Sequence, residues 1–520
     1  MVFDASAKHD GVSLPDFAVD IVANLLRFRR YSIPLCADIK QMFLQVGVAA
    51  EDRSFLRYLW RPLGGCGPPD TFEMNVHIFG AVCSPAVCIA TMRKTAEDHR
   101  SQFPDVADIV SKNFYVDNYL DSVETEEEAI GRSRRLVSLW KCGGFKLTKW
   151  LSSSRNVLLS FNPSELADPT LDLWLDPLPE ERTLGVMWQS DSDVFTFRTN
   201  LCIAVETKRE ALRNTASIFD PLGFLDPVVI TAKIFLQTVW RSGLDWDEVL
   251  PRRLQQEWEA WASEMPSLTN LRIPRCLQPR SGFPLTFHVF CDAPEKAYGA
   301  VVYIRQRAKG ETNVSMVISK ALVVSIKTLS TPRLELQAAV VGTRLARCVA
   351  DELSLVSSQF IFWTDSQKVL KWLCSERCRY HTFVANRIAE IHDSTQPTQW
   401  RHVAGTENPA DDLSRGVDAA SLTSDHRWFR GPAFLLEPRT SWPPPWIPMN
   451  PDENDPEVSK TLPERVLTII TPEPDQPDQK CSPDASCEMV IDLSNSRLDD
   501  TCRWNHAKAA TCFIPTTERY

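Results

Sequence analysis

Six acids and one amide lie at the strand ends, hairpin tip and helix starts from which side chains can be presented to a metal ion. Asp117 and Asn118 lie in Asn113-Phe114-Tyr115-Val116-Asp117-Asn118-Tyr119-Leu120-Asp121. Apolar residues flank the central Asp-Asn pair, which reads as two strands joined by a tight polar turn over that pair. An acid lifted to the tip of a rigid hairpin presents its carboxylate to a metal ion. Asp38 closes the apolar run Ser32-Ile33-Pro34-Leu35-Cys36-Ala37. A strand ending in Asp and a later hairpin tipped with Asp bring two carboxylates together from adjacent strands of one sheet. Such a pair holds two magnesium ions, which lower the pKa of an attacking hydroxyl and neutralise charge on a transferring phosphoryl group. The other four acids come from separate elements. Cys291-Asp292-Ala293 ends a strand, and Pro332-Arg333-Leu334-Glu335 begins a helix. Phe362-Trp363-Thr364-Asp365 ends another strand, and Asn408-Pro409-Ala410-Asp411 leads into a last helix. Singly, each of these four acids is better explained by a surface charge or a helix cap; only as an ordered set do they point to catalysis.

The elements that must position these residues follow from periodicity. Phe17 to Phe28 has helical spacing with a basic end at Arg27, Arg29 and Arg30. Phe55–Trp60 and Phe72–Val76 read as strands, Phe79–Pro85 as the opening of a helix of small residues that continues to about Arg100, and Glu126–Cys142 as a further helix. Thr183–Trp188 reads as one apolar strand with a Gly bend. Lys208–Trp261 is mainly helical, broken at Pro221, Pro227 and Pro251. After a loop over Arg275–Pro284, strand and helix patterns alternate to Trp400, as in an α/β domain. Beyond His426 the chain turns proline-rich and acidic, which reads as linker and disordered tail.

Composition bounds the rest. The chain has 520 residues, with 43% hydrophobic and 24% charged content, as in a globular protein of about three domains. Net charge is −10. Residues 451–500 hold 13 Asp/Glu against 4 Lys/Arg, which leaves −1 for the other 470 residues. A near-neutral body can carry a local basic groove, so charge neither supports nor excludes nucleic acid. The 15 cysteines contain no Cys-x-x-Cys pair and read as reduced thiols rather than a disulfide framework or zinc site. No secretory leader or bilayer-length apolar run is visible, so no membrane partner is expected.

Ala37-Asp38-Ile39 with Phe43, Phe79-Gly80-x-x-x-Ser84-Pro85, Tyr115-Val116-Asp117-Asn118 and Gly144-Phe145-Lys146 stand in the order and spacing of reverse transcriptase palm motifs. Together with Val2-Phe3-Asp4-Ala5-Ser6-Ala7-Lys8, Phe219-Asp220-Pro221-Leu222-Gly223-Phe224 and Asn408-Pro409-Ala410-Asp411, they resemble the Pao/BEL class of LTR retrotransposon polyproteins over residues 1–440. The resemblance implies an α+β and α/β multidomain chain. Its parts would be a reverse transcriptase palm with partial fingers (1–160), a primer-grip and helical thumb/connection region (161–278), a ribonuclease H-like domain (279–420), and a linker with a disordered acidic tail (421–520). It makes Asp38 and Asp117 metal ligands of a polymerase site, with Phe43 as the aromatic gate against a ribose 2′-OH. Phe79, Gly80, Ser84 and Pro85 would support template and incoming nucleotide, and Lys146 or Lys149 would stand near the leaving pyrophosphate. Gly185, in Leu184-Gly185-Val186, would belong to a hairpin gripping the primer end. Asp292, Glu335, Asp365 and Asp411 would be the metal ligands of a ribonuclease H site, with His402 as a mobile general acid/base. Asp411 is preferred to Asp412 from its register against Leu413-Ser414-Arg415.

The implied cofactor is Mg²⁺, two ions per site, with Mn²⁺ as a substitute. The implied partners are an RNA template, a DNA primer, RNA–DNA hybrid and dNTPs, beside capsid, protease and integrase parts of a polyprotein. The implied location is the cytoplasm, in a virus-like particle, or the nucleus. One position departs from the family: Asn118 replaces the second Asp of the hairpin. An amide keeps a hydrogen-bonding oxygen but loses the charge on which hard cations depend, so lowered polymerase activity is expected. The fingers segment before Val2 and an integrase after the tail are not found, so the chain reads as a polyprotein fragment. No Asp-Thr-Gly or Asp-Ser-Gly supports an aspartic peptidase. The competing reading is a decayed or repurposed copy that binds nucleic acid without synthesis.

Overall fold

The computed structural model describes residues 20–458 except 82, 175, 278–281, 326–328, 376–379 and 447–454. The Val2–Lys8 motif, the start of the helix expected from Phe17 and the acidic tail beyond 458 lie outside the described residues.

The first sheet has four antiparallel strands in the order Phe114–Tyr115, Asn118–Val123, Ile33–Ile39, Leu147–Leu151. Ile33–Ile39 is central and largely buried on both faces, which is why its sequence is a near-continuous apolar run. Helices Ser84–Asp98, Pro104–Asn113 and Glu126–Cys142 share its core through Met92, Val106, Val110, Leu136 and Trp140. The Glu126–Cys142 helix has the bounds read from sequence. Thr125 caps it by accepting the Glu128 amide, and three glutamates in the first turn suit the helix dipole.

The hairpin differs from expectation. Its turn is Val116-Asp117, and Asn118 already belongs to the next strand, paired with Tyr115 on one side and Asp38 on the other. Val116 takes φ 55°, the left-handed region where a β-branched residue is strained, at a cost of order 1–3 kcal/mol. Thr183–Trp188 is likewise not one bent strand. Glu180–Thr183 and Val186–Gln189 pair antiparallel around a Leu184-Gly185 turn in which both residues have positive φ. With Val194–Thr196 and Ile273–Pro274 they form a second four-stranded sheet. Pro227 opens the Asp226–Arg241 helix rather than breaking one, since a first-turn proline forfeits no intrahelical bond.

The third sheet has the order Glu311–Val323, Ala297–Ala308, Leu285–Asp292, Phe360–Thr364, Trp400–His402, with three antiparallel strands followed by two parallel ones. Helix Thr331–Leu353 packs on it closely because Gly342 lies against Cys291; a Cβ at Gly342 would stand 2.5 Å from the Cys291 sulfur. This is the mixed α/β arrangement expected of a ribonuclease H-like domain. Residues 421–446, read from composition as linker, are instead packed. Trp428, Leu435 and Trp442 are buried, the Tyr303 hydroxyl donates to the Trp428 carbonyl, and Arg305 donates to the Leu435 and Glu437 carbonyls.

Two buried arginines tie the first part of the chain to its sheets, Arg29 to this one and Arg275 to the turn before the Val194–Thr196 strand of the second. A bulge between Val302/Tyr303 and their partners frees carbonyls of the Glu311–Val323 strand. Arg29 donates to those of Val317 at 2.6 Å and Met316 at 2.8 Å, and to Arg275 O at 3.2 Å. Arg275 forks onto Asp193 at 2.6 and 2.8 Å and also reaches the Phe28 and Ser32 carbonyls. The Phe219–Phe224 motif adds a third tie. Asp226 accepts the Ser319 hydroxyl at 2.8 Å and the Ala321 amide at 3.0 Å, while Gly223, at φ 76°, leaves room for Ser319. Arg29→Ala would leave buried carbonyls without donors, so it is expected to cost about 3 kcal/mol or more. Urea unfolding checks this, and an unchanged midpoint would contradict it. Arg29→Lys should not rescue, because one ammonium cannot serve three divergent carbonyls.

Candidate active sites

At the first centre, the strand end and the hairpin tip are locked by backbone. Ile39 N–H donates to Asp117 O at 2.9 Å, and Asp38 stands directly opposite Asn118. The Asp117 carboxyl is raised above its ordinary value, first by burial and then by the Asp38 charge facing it. Asn118 donates its amide N–H to Asp117 Oδ1 at 3.1 Å. The Lys149 ammonium lies 3.0 Å from Asp38 Oδ2, which raises the lysine. Lys149 has φ 55° and Gln41, three residues after Asp38, has φ 50°, so with Val116 three strained backbones surround the centre.

Lys146 stands elsewhere, paired with Glu165 at 3.3 Å and exposed. Phe43 is buried and packs edge-on against the exposed Phe79 at 4.7 Å. Gly80 has φ 89°, a turn that only glycine makes freely, just before Ser84-Pro85 open their helix. Ser84 is buried, with its hydroxyl 3.3 Å from His77 Nδ1. Gly185 lies under the Phe219 ring, and a Cβ there would meet the ring at 2.6 Å. A Phe219 contact that fixes the Leu184-Gly185 turn is not legible from local pattern.

The second centre is built at the ends of two adjacent parallel strands, where Cys291 pairs with Thr364. Asp292 and Asp365 follow directly. Asn408 explains how the last helix joins them: its amide donates to Cys291 O at 3.0 Å and its Oδ1 accepts Ala410 N–H at 3.2 Å, which sets Asp411 in the first turn of Ala410–Arg415. Burial, then Asp365 and Asp411, push the Asp292 carboxyl up to about 6 against the pull of a Ser414 hydroxyl bond. Asp365 is raised by burial and by Asp411, while His402, opposite Thr364 in the neighbouring strand, pulls it down. Glu335 is raised by burial and by Asp365, and accepts the Ser366 hydroxyl; Ser366 in turn caps helix Gln367–Cys374. Asp411 pairs with Arg415. Asp412 points away, held two-pronged by Arg427 at 2.6 and 2.9 Å.

The donors at both centres are hard oxygens, the set that suits Mg²⁺ or Mn²⁺. Asp117, Asp292, Glu335 and Asp365 are raised first by burial and then by a neighbouring carboxylate, which is the electrostatic condition a divalent cation relieves. Among the described residues, no three His, Cys, Asp or Glu side chains converge closely enough to hold a metal ion. The acids are turned instead toward Ser414, Ser366, Arg415 and Lys149. The sequence pattern points to Lys149 but not to its pairing with Asp38, and it does not show Ser414, Ser366 or Arg415 as partners of the acids. Ser366, in the N-cap pattern after Asp365, was the one with a visible signal.

Residues 207–366 match the family model of the Pao retrotransposon-like RNaseH-like domain, a stretch that includes Asp292, Glu335 and Asp365. No curated protein matches the chain. Among solved structures, the chain is similar to the foamy viral protease-reverse transcriptase in complex with RNA/DNA hybrid, at 14% identity and TM-score 0.44, covering 74% of this chain and 45% of that one. A second is the foamy viral protease-reverse transcriptase dRH with double-stranded DNA, at 13% identity and TM-score 0.46, covering 74% and 59%. This chain thus spans less than two thirds of either. No helix among the described residues is long and apolar enough to cross a membrane.

Proposed function

We propose, from the premise that the chain carries a Pao retrotransposon-like RNaseH-like domain over residues 207–366, that its second centre cuts the RNA strand of an RNA–DNA hybrid. The observation that supports this best is the mutual coupling of Asp292, Asp365 and Asp411, delivered by two strand ends and a helix. With Glu335 they would hold two divalent cations, which when bound supply an ionised water and charge neutralisation at the phosphate. Asp292 and Asp365, at the ends of paired strands, would fix position; Glu335, in the second turn of its helix, and Asp411, in the first turn of its own, would supply the remaining oxygens. Ser366 and Ser414 hold the carboxylates in orientation. His402, opposite Thr364 in the neighbouring strand and acting electrostatically on Asp365, would move a proton during product release. Cleavage of a hybrid with Mg²⁺ or Mn²⁺, sparing single-stranded RNA and duplex DNA, tests the reading; intact hybrid with both ions would sink it.

The acidity of Asp292 gives a further expectation. Its folded carboxyl holds a proton up to about 6, against an ordinary 3.8. Its contribution to metal-free stability is therefore complete below the ordinary value and is lost as pH rises through about 6. Mg²⁺ needs the ionised form, so affinity should fall about tenfold between about pH 7.5 and about pH 5, read by titration calorimetry; equal affinities would contradict this.

For the first centre we infer a polymerase palm in which Asp38 and Asp117 would hold the cations, Phe43 would gate the sugar, Gly80, Ser84 and Pro85 would support the template, and Gly185 would grip the primer. Its substrates would be an RNA template, a DNA primer and dNTPs. Asn118 favours the second reading for this centre, a fold kept for nucleic-acid binding with little synthesis.

A further inference from the structure

A short acidic segment closes onto the helix that carries Glu335. Asp455 and Glu457 are buried, although they come from the most negatively charged part of the chain. Glu457 forms a two-pronged pair with Arg333, Nε to Oε1 at 2.7 Å and Nη2 to Oε2 at 2.9 Å. Its carbonyl accepts the His381 amide at 2.9 Å. Asp455 accepts the Trp372 indole N–H at 2.7 Å and lies 3.5 Å from the Lys368 ammonium. Lys368 acts electrostatically on the Glu335 carboxyl, and Arg333 lies in the first turn of the helix that carries Glu335. Lys368 therefore borders the second centre, and the Asp455–Glu457 segment joins Arg333 to it. A guanidinium fork beside an ammonium and an aromatic ring is a donor set for phosphate, and a carboxylate pair is its nearest protein mimic.

We propose that Asp455 and Glu457 are a built-in competitor, occupying an Arg333–Lys368–Trp372 cleft that takes backbone phosphates of a nucleic acid held at the second centre. This rests on the nucleic-acid reading of that centre. Because the segment is tethered, it competes at high effective concentration, and hybrid must displace it to engage fully.

The full chain and a D455N/E457Q variant are compared for binding to an RNA–DNA hybrid by fluorescence anisotropy across a salt series. The variant is expected to bind about tenfold tighter, with a log K against log salt slope steeper by roughly 1–2, because Arg333 and Lys368 then meet phosphates. Adding Arg333→Ala and Lys368→Ala to the variant should abolish the gain. Equal affinities, or a gain that survives those additions, would overturn the proposal and leave the segment a structural clamp. A second measurement needs no variant: saturating hybrid should strip the parent's His381 and Glu457 amides of protection from hydrogen exchange, and retained protection would overturn it. No binding by either protein would remove both readings. Cleavage that survives Asp365→Asn would count against catalysis at the centre alone, since the competition is read from binding.

Discussion

Asp365→Asn is expected to slow cleavage of the RNA strand in a hybrid by about three orders of magnitude, roughly 4 kcal/mol of barrier. Hybrid affinity and thermal stability should stay near those of the parent. Asp365 is the member that touches the whole set electrostatically: Asp411 raises it, His402 lowers it, and it acts in turn on Asp292 and Glu335. The amide keeps its size but removes a charge that raises the Asp292 and Glu335 carboxyls, so the metal-free fold has nothing to lose. Single-turnover cleavage beside thermal unfolding separates the two effects. A variant that cuts at the parental rate would put the chemistry elsewhere.

The second large effect concerns synthesis. The chain as it stands is expected to extend a primer poorly, and Asn118→Asp to raise the rate on the order of ten- to a hundredfold. Asn118 lies opposite Asp38 and donates to Asp117, so an acid there would face both carboxylates. That adds ligand charge where hard cations need it. It also turns the Asn118–Asp117 hydrogen bond into repulsion, so the gain should need Mg²⁺ or Mn²⁺, and the metal-free variant should be less stable. If neither protein extends a primer, the amide is not the limiting defect.

The strand-end acids were legible because an apolar run closing on Asp is rare enough to mark an edge, and their order supplied the rest. The hairpin was legible as a hairpin, but its turn was not. Turn chemistry points to Asp-Asn, whereas the fold places the β-branched Val116 at φ 55°, a strain that only tertiary packing imposes. The choice between Lys146 and Lys149 was likewise beyond pattern. A positive φ at Lys149 aims its ammonium at Asp38, while Lys146 pairs with Glu165. Arg29 and Arg275 look like ordinary basic residues in sequence, because nothing local shows that a bulged strand and an aspartate wait for them. The 421–446 stretch failed for the opposite reason: its prolines suggest linker, but Trp428 and Trp442 bury themselves on a sheet formed far earlier in the chain.

One reaction tests the account most directly: the full chain with a labelled RNA template annealed to a labelled DNA primer, dNTPs and Mg²⁺, with both strands followed together. The RNA should be shortened within the hybrid while the primer gains little. RNA that stays intact, whether or not the primer grows, would contradict it.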